Sequence, residues 1–172
     1  VNGEPYEIAK TRPESASLNN FVRGRFIRFL VLGGDAENPV HENGVQLVGA
    51  WIEDEIYLNF CNCPYPLILQ NCHISEQFIA QDASLPLLKM TGSKLCKGLI
   101  ANGIKIASRV VLDEGFTADD KVELIGAKID GQLACNGATF NNQTGNAFVM
   151  DRIKIAGSVY FNKKFIANGQ VK

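Results

Sequence analysis

GVQLVGAWI at 44–52 and KVELIGAKI at 121–129 share the skeleton V-x-L-x-G-A-x-I while differing at every position between. Identity at spaced positions with freedom elsewhere marks a structural repeat. Sliding the skeleton along the chain finds apolar starts at Val45, Ile56, Leu67, Phe78, Leu88, Leu99, Val110, Val122, Leu133, Phe148, Val159 and Val171, most of them 11 residues apart. Within each frame the inward candidates fall at offsets 0, 2, 5 and 7, as in Leu67, Leu69, Cys72, Ile74 or Leu133, Cys135, Ala138, Phe140. A helix repeats at 3.6 and a plain strand at 2, so two residues two apart, a step of three and a second such pair predict two very short strands joined by a corner. Offset 4 supplies residues that tolerate a left-handed backbone: Gly49, Gly92, Gly103, Gly126 and Gly137, with Asn71 and Asp82 in two further frames. Two frames then make one coil of about 22 residues, and coils stack at the ~4.8 Å spacing of neighbouring strands.

Three places depart from the pattern. The frames at Val110 and Val159 carry Phe116 and Phe165 one position late, which predicts a second kind of turn. Asn141–Gly145 lengthens one gap and reads as a loop bulging from a corner. Ahead of the repeat, SASLNNFVRGRFIRFLVL at 15–32 places Leu18, Phe21, Val22, Phe26, Phe29 and Leu30 at roughly helical spacing, with Gly33-Gly34 as a stop. It predicts an amphipathic helix covering the open end of the first coil. The chain thus divides into an N-terminal extension over 1–14, a capping helix over 15–34 and an all-β solenoid over 35–172. Opening on Val1 and stopping just inside the frame at Val171, it reads as part of a longer protein.

The two-and-three spacing resembles that of pentapeptide-repeat proteins, which are right-handed parallel β-helices. The resemblance covers about 45–172. IRFLVLGGDAENPVHENGVQLVGAWI at 27–52 and VELIGAKIDGQLACNGATF at 122–140 are similar to uncharacterised bacterial proteins of this kind, some labelled membrane-associated oxidoreductases. The strict A-[DN]-L-x-x consensus is not kept, and an extra residue stands in most pairs of pentapeptides, which leaves three- and four-sided coils both open. No G-x-G-x-x-G follows a strand and no P-loop or metal cluster is present, so no cofactor is expected and the oxidoreductase label has no residues behind it.

Composition narrows the rest. The 172 residues are 46% hydrophobic and carry 17 bases against 18 acids, enough for a core without staples and too balanced for direct nucleic-acid binding. No apolar stretch reaches the roughly 20 residues of a membrane span. Five cysteines without C-x-x-C spacing read as reduced thiols in a cytoplasm, with Cys61, Cys72 and Cys135 as small core fillers. Charge is banded: residues 35–85 hold eight acids and no Lys or Arg, whereas 86–112 hold five bases and no acid. Such bands allow an acidic or basic protein partner, or a homo-oligomer.

Outward positions name the candidate binding residues. Lys105, Lys128 and Lys154 share offset 6 in alternate frames, a lysine ladder suited to a polyanion or an acidic protein, or a solvated face that discourages aggregation. The other set of frames places Trp51, His73 and Lys94 in one column, a contact site for a partner or a sugar ring, or a column buried under the N-terminal segment. For catalysis the best groups are Glu53, Asp54, Glu55 and Asp130, as acid and base of a carbohydrate-active β-helix, and Cys96, whose thiol Lys94 and Lys97 would activate. A DNA-mimic that binds topoisomerases would need an unbroken acidic surface, which the basic bands interrupt. The sequence favours a rigid, non-catalytic scaffold.

Overall fold

The repeat closes into a right-handed parallel β-solenoid of about five turns, seen in a computed structural model that describes residues 3–37, 39–162 and 164–172. The anticipated frames are the observed ladder. Val45 pairs with Leu67, Leu67 with Leu88, Leu88 with Val110, Val110 with Leu133 and Leu133 with Val159. The alternate starts pair likewise, from Ile56 through Phe78, Leu99, Val122 and Phe148 to Val171.

The coils from Leu67, Leu88 and Val110 contribute four strands each, so the cross-section has four sides. The first face stacks Val45–Val48, Leu67–Gln70, Leu88–Lys89, Val110–Val111, Leu133–Ala134 and Val159–Tyr160. The second stacks Trp51–Glu53, His73–Ile74, Lys94–Leu95, Thr117–Ala118 and the start of Thr139–Val149. The third runs from Ile56–Tyr57 through Phe78–Ile79, Leu99–Ile100 and Val122–Glu123 to the end of Thr139–Val149. The fourth holds Ser84–Leu85, Lys105–Ile106, Lys128–Ile129 and Lys154–Ile155.

Corners make these two-residue strands compatible with closure. Gly49, Gly92, Gly103, Gly126, Gly137, Asn71 and Asp82 all have φ between 51° and 72°. Phe60, Glu114 and Arg152 occupy the same offset with φ of 57°, 49° and 56°, so the corner forms even where the side chain resists it. The offset-4 position of the frame at Val159 is Lys163, outside the described residues. Gly115, φ 90°, adds a second left-handed residue after Glu114 and absorbs the extra position before the buried Phe116. One place earlier, Asn side chains carry the ladder round the bend: Oδ1 of Asn59, Asn102 and Asn136 accepts the backbone N–H of Gln81, Ile125 and Asn162 at 2.8–3.0 Å.

The offset rule also predicts the core. Leu67, Leu69, Cys72, Ile74, Val122, Leu124, Ala127, Ile129, Leu133, Cys135, Ala138 and Phe140 are wholly buried, and each large apolar side chain so placed contributes about 1.5–3 kcal/mol. Cys61 is the exception among the expected fillers: it is half-buried, beneath Arg28 of the helix.

One expectation is corrected. The capping helix spans only Gly24–Val31, not 15–34. Phe21–Arg23 is instead a strand paired with Trp51–Glu53, and Tyr6–Glu7 pairs with Leu47–Val48, so the first residues form two sides of an incomplete coil. Residues 17–20 form a turn, with Asn20 Oδ1 accepting from the Ser17 N–H at 2.7 Å, and Leu18 is fully exposed. Gly24 belongs at the helix start because a Cβ there would lie 2.5 Å from the Glu55 carbonyl oxygen. Ile27 and Val31 then close the core, while Gly33 and Gly34 turn the chain as expected. Asn141–Gly145 bulges as expected: Thr139–Val149 spans two faces, and between Asn141 and Asn146 its register against Ile166–Val171 slips, a step of five residues standing opposite a step of two. Val1 and Asn2 of the extension lie outside the described residues.

Candidate functional site

The fourth face presents the lysine ladder in register, Lys105 opposite Lys128 and Lys128 opposite Lys154, all three exposed. Lys128 Nζ lies 3.3 Å from Asp130 Oδ1, and among the described residues no salt bridge reaches Lys105 or Lys154. Neighbouring ammonium groups ~4.8 Å apart in water repel by about 1 kcal/mol, less when the stems splay. The face is therefore tolerable empty and gains when an anion bridges it. A shallow groove of about 350 Å³ runs alongside, between Asn62–Pro64, Leu85–Pro86 and Lys105.

The second face aligns Trp51, His73 and Lys94 as anticipated. Trp51 is half-buried and stacks on the His73 ring at 3.7 Å and 11°. Lys94 Nζ binds Asp119 Oδ2 at 2.6 Å, Asn141 donates to Asp119 Oδ1 at 3.3 Å, and Asn168 donates to Asn141 at 2.8 Å. Burial raises the Asp119 carboxyl, but the Lys94 and Asn141 hydrogen bonds outweigh it and hold the group below its usual value. Across this face lies the N-terminal segment, whose Arg12 Nη1 donates to Gly92 O at 3.1 Å, Thr117 Oγ1 at 3.3 Å and Gly115 O at 3.4 Å. The segment walls a groove of about 500 Å³ that reaches His73 and Lys94.

One contact on this face joins residues that the sequence reading kept apart: Cys96 Sγ lies 3.1 Å from His73 Nε2. Both are outward, one coil apart, at offsets 8 and 6. A diagonal reading of the frames finds them, whereas a reading along columns does not. Desolvation lowers the His73 pKa, with Lys94 and Arg12 adding to it. Desolvation also raises the Cys96 thiol, against the pull of Lys94. The expectation of a lysine-activated thiol is thereby overturned. Lys97 is engaged elsewhere, with Glu76 at 2.6 Å. The other buried thiols are pushed up as well, Cys63 and Cys72 to about 11.

Asp54 and Asp130, two of the candidate carboxylates, follow strands of different faces. Asp54 is paired with Arg23 at 3.1 Å, a base that strand Phe21–Arg23 brings into a stretch acidic in sequence. Asp130 stands with Lys128, after a fourth-face strand. Tyr57 is exposed on the third face. Among the described residues no three His, Cys, Asp or Glu side chains group closely enough to hold a metal ion, and no helix is long and apolar enough to cross a membrane.

No family model matches the chain, and neither a curated protein nor a solved structure matches it.

Proposed function

We propose that the protein is a rigid, non-catalytic scaffold that recognises an acidic protein or other polyanion along its fourth face. The observation that carries this reading is the in-register ladder of Lys105, Lys128 and Lys154, with one carboxylate among three stacked ammonium groups. An evenly spaced row on a hydrogen-bonded stack of strands suits repeated charge on a partner, and its preorganisation lowers the ordering cost of binding. The carbohydrate-enzyme alternative is less well supported, since hydrolysis needs two carboxylates facing one substrate and Asp54 and Asp130 are each engaged with a base after strands of different faces. Five free thiols suit a reducing cytoplasm, and the repeat suits kinship with pentapeptide-repeat solenoids.

Retention on immobilised poly-glutamate tests the reading. The parent chain is expected to elute at higher salt than a variant with all three lysines changed to Gln. Equal elution of the two, at matched folding by circular dichroism, overturns it.

A further inference from the structure

The second face combines three features that the scaffold reading leaves unused. A half-exposed thiol touches an imidazole, Cys96 Sγ to His73 Nε2 at 3.1 Å. The imidazole is held flat against Trp51, which fixes the plane of its ring beside the sulfur. The adjoining groove carries charge of both signs: Arg12 and Lys94 line it together with Glu14 and Glu114. Arg12 makes its hydrogen bonds to two carbonyls and a hydroxyl, all neutral, so its charge remains available to a ligand.

We propose that Cys96 and His73 form a thiol–disulfide exchange site for small zwitterionic disulfides, those of amino-acid type that carry both carboxylate and ammonium groups. The Cys96 sulfur attacks one sulfur of the incoming disulfide, forming a new S–S bond as the old one breaks. His73 Nε2 takes the thiol proton as the sulfur attacks and returns it to the departing thiolate. Cys96 ends as a mixed disulfide and one small thiol is released, so the small disulfide is the only oxidant required. Displacement at sulfur needs a nucleophile and a proton acceptor, and these are what the pair provides.

Lys94, Arg12, Asp119 and Glu76 are the charged groups that act on the pair. Their pulls on the thiol oppose one another, and burial disfavours the charged form of both partners. The proton therefore moves during the reaction and not before it. Cys61 offers an internal contrast: it too is half-exposed, but its neighbour is the Arg28 guanidinium at 2.9 Å, which donates and cannot accept a proton.

Oxidised glutathione, cationic cystamine and neutral 2-hydroxyethyl disulfide serve as probes, with mixed disulfides at Cys96 and Cys61 quantified by mass spectrometry. Each rate is divided by that of the urea-unfolded chain. Native Cys96 is expected to react with oxidised glutathione at least tenfold faster than in His73→Gln, and its rate to level off once His73 is deprotonated. In the variant the rate should climb into the alkaline range, and Cys61 should show no dependence on His73. Arg12→Gln, which leaves the pair intact, is expected to erase the preference for oxidised glutathione over the other two probes. Equal Cys96 rates and equal pH profiles in native and His73→Gln chains overturn the site. Equal relative rates for the three probes in the native chain, or an unchanged preference in Arg12→Gln, overturn the zwitterionic assignment.

Discussion

The second and fourth faces are built from the same frame and carry lysine at the same offset, yet they treat that charge in opposite ways. On the second face Lys94 meets Asp119 on the next coil and Asn141 fixes the carboxylate, so the charge is spent within the protein. On the fourth face the next coil supplies another lysine. A repeat sets position and not chemistry: one ladder slot becomes a structural tie or an open contact according to what its neighbour one coil away contributes.

The strongest way to break this comparison is to ask whether the faces stand or fall together. Phe78 is wholly buried in the shared core, and Phe78→Ala is expected to cost about 3–5 kcal/mol. In urea, Trp51 fluorescence reports the second face and far-ultraviolet circular dichroism the whole solenoid. The two transitions should coincide, and separate midpoints would show the faces to be independent. Next in size is Gly49→Ala, because an added Cβ would lie 2.0 Å from the Ala9 carbonyl oxygen at a residue with φ of 72°. A cost of about 2–3 kcal/mol is expected, and proteolysis should then release the N-terminal segment, which walls only the second-face groove.

Smaller effects sharpen the contrast in charge. Lys94→Met should cost about 0.5–1 kcal/mol, reduced by salt because its partner is partly exposed. Lys105→Met should stay within about 0.5 kcal/mol of zero. Equal costs in chemical denaturation would erase the distinction. The finest difference is in pH. Because the His73 pKa is lowered in the fold, the unfolded chain binds more protons in the interval between its ordinary value of 6.5 and the folded value. Stability should therefore fall as pH drops from 7.5 through 6.5 to 5.5. His73→Gln should flatten that slope, whereas Lys105→Gln should leave it unchanged.

Most of the solenoid is legible in the sequence, because inward offsets must be apolar and corners must turn. The corners at Phe60, Glu114 and Arg152 were not, since their neighbours' pairing imposes a conformation that the residues themselves disfavour. Arg152→Gly would show that cost directly, as a gain of about 0.5–1 kcal/mol. Phe21–Arg23 misled because apolar residues at helical spacing fit an edge strand followed by a short helix equally well. Of the candidate site residues, the columns were readable and the contacts between columns were not. Cys96 with His73, Lys94 with Asp119, and above all Arg12 with Gly92 depend on which coil lies beside which side chain, and for Arg12 on a segment with no repeat in it.

That last contact sets an order of events. Arg12 holds acceptors 80 and 105 residues further along the chain. Emerging from a ribosome at about 5–20 residues per second, the N-terminal segment waits roughly 4–20 s before its docking surface exists. The wall of the second-face groove is made 80 to 105 residues before the surface that seats it. Until then the groove beside His73 and Lys94 lacks the wall that Arg12 gives it.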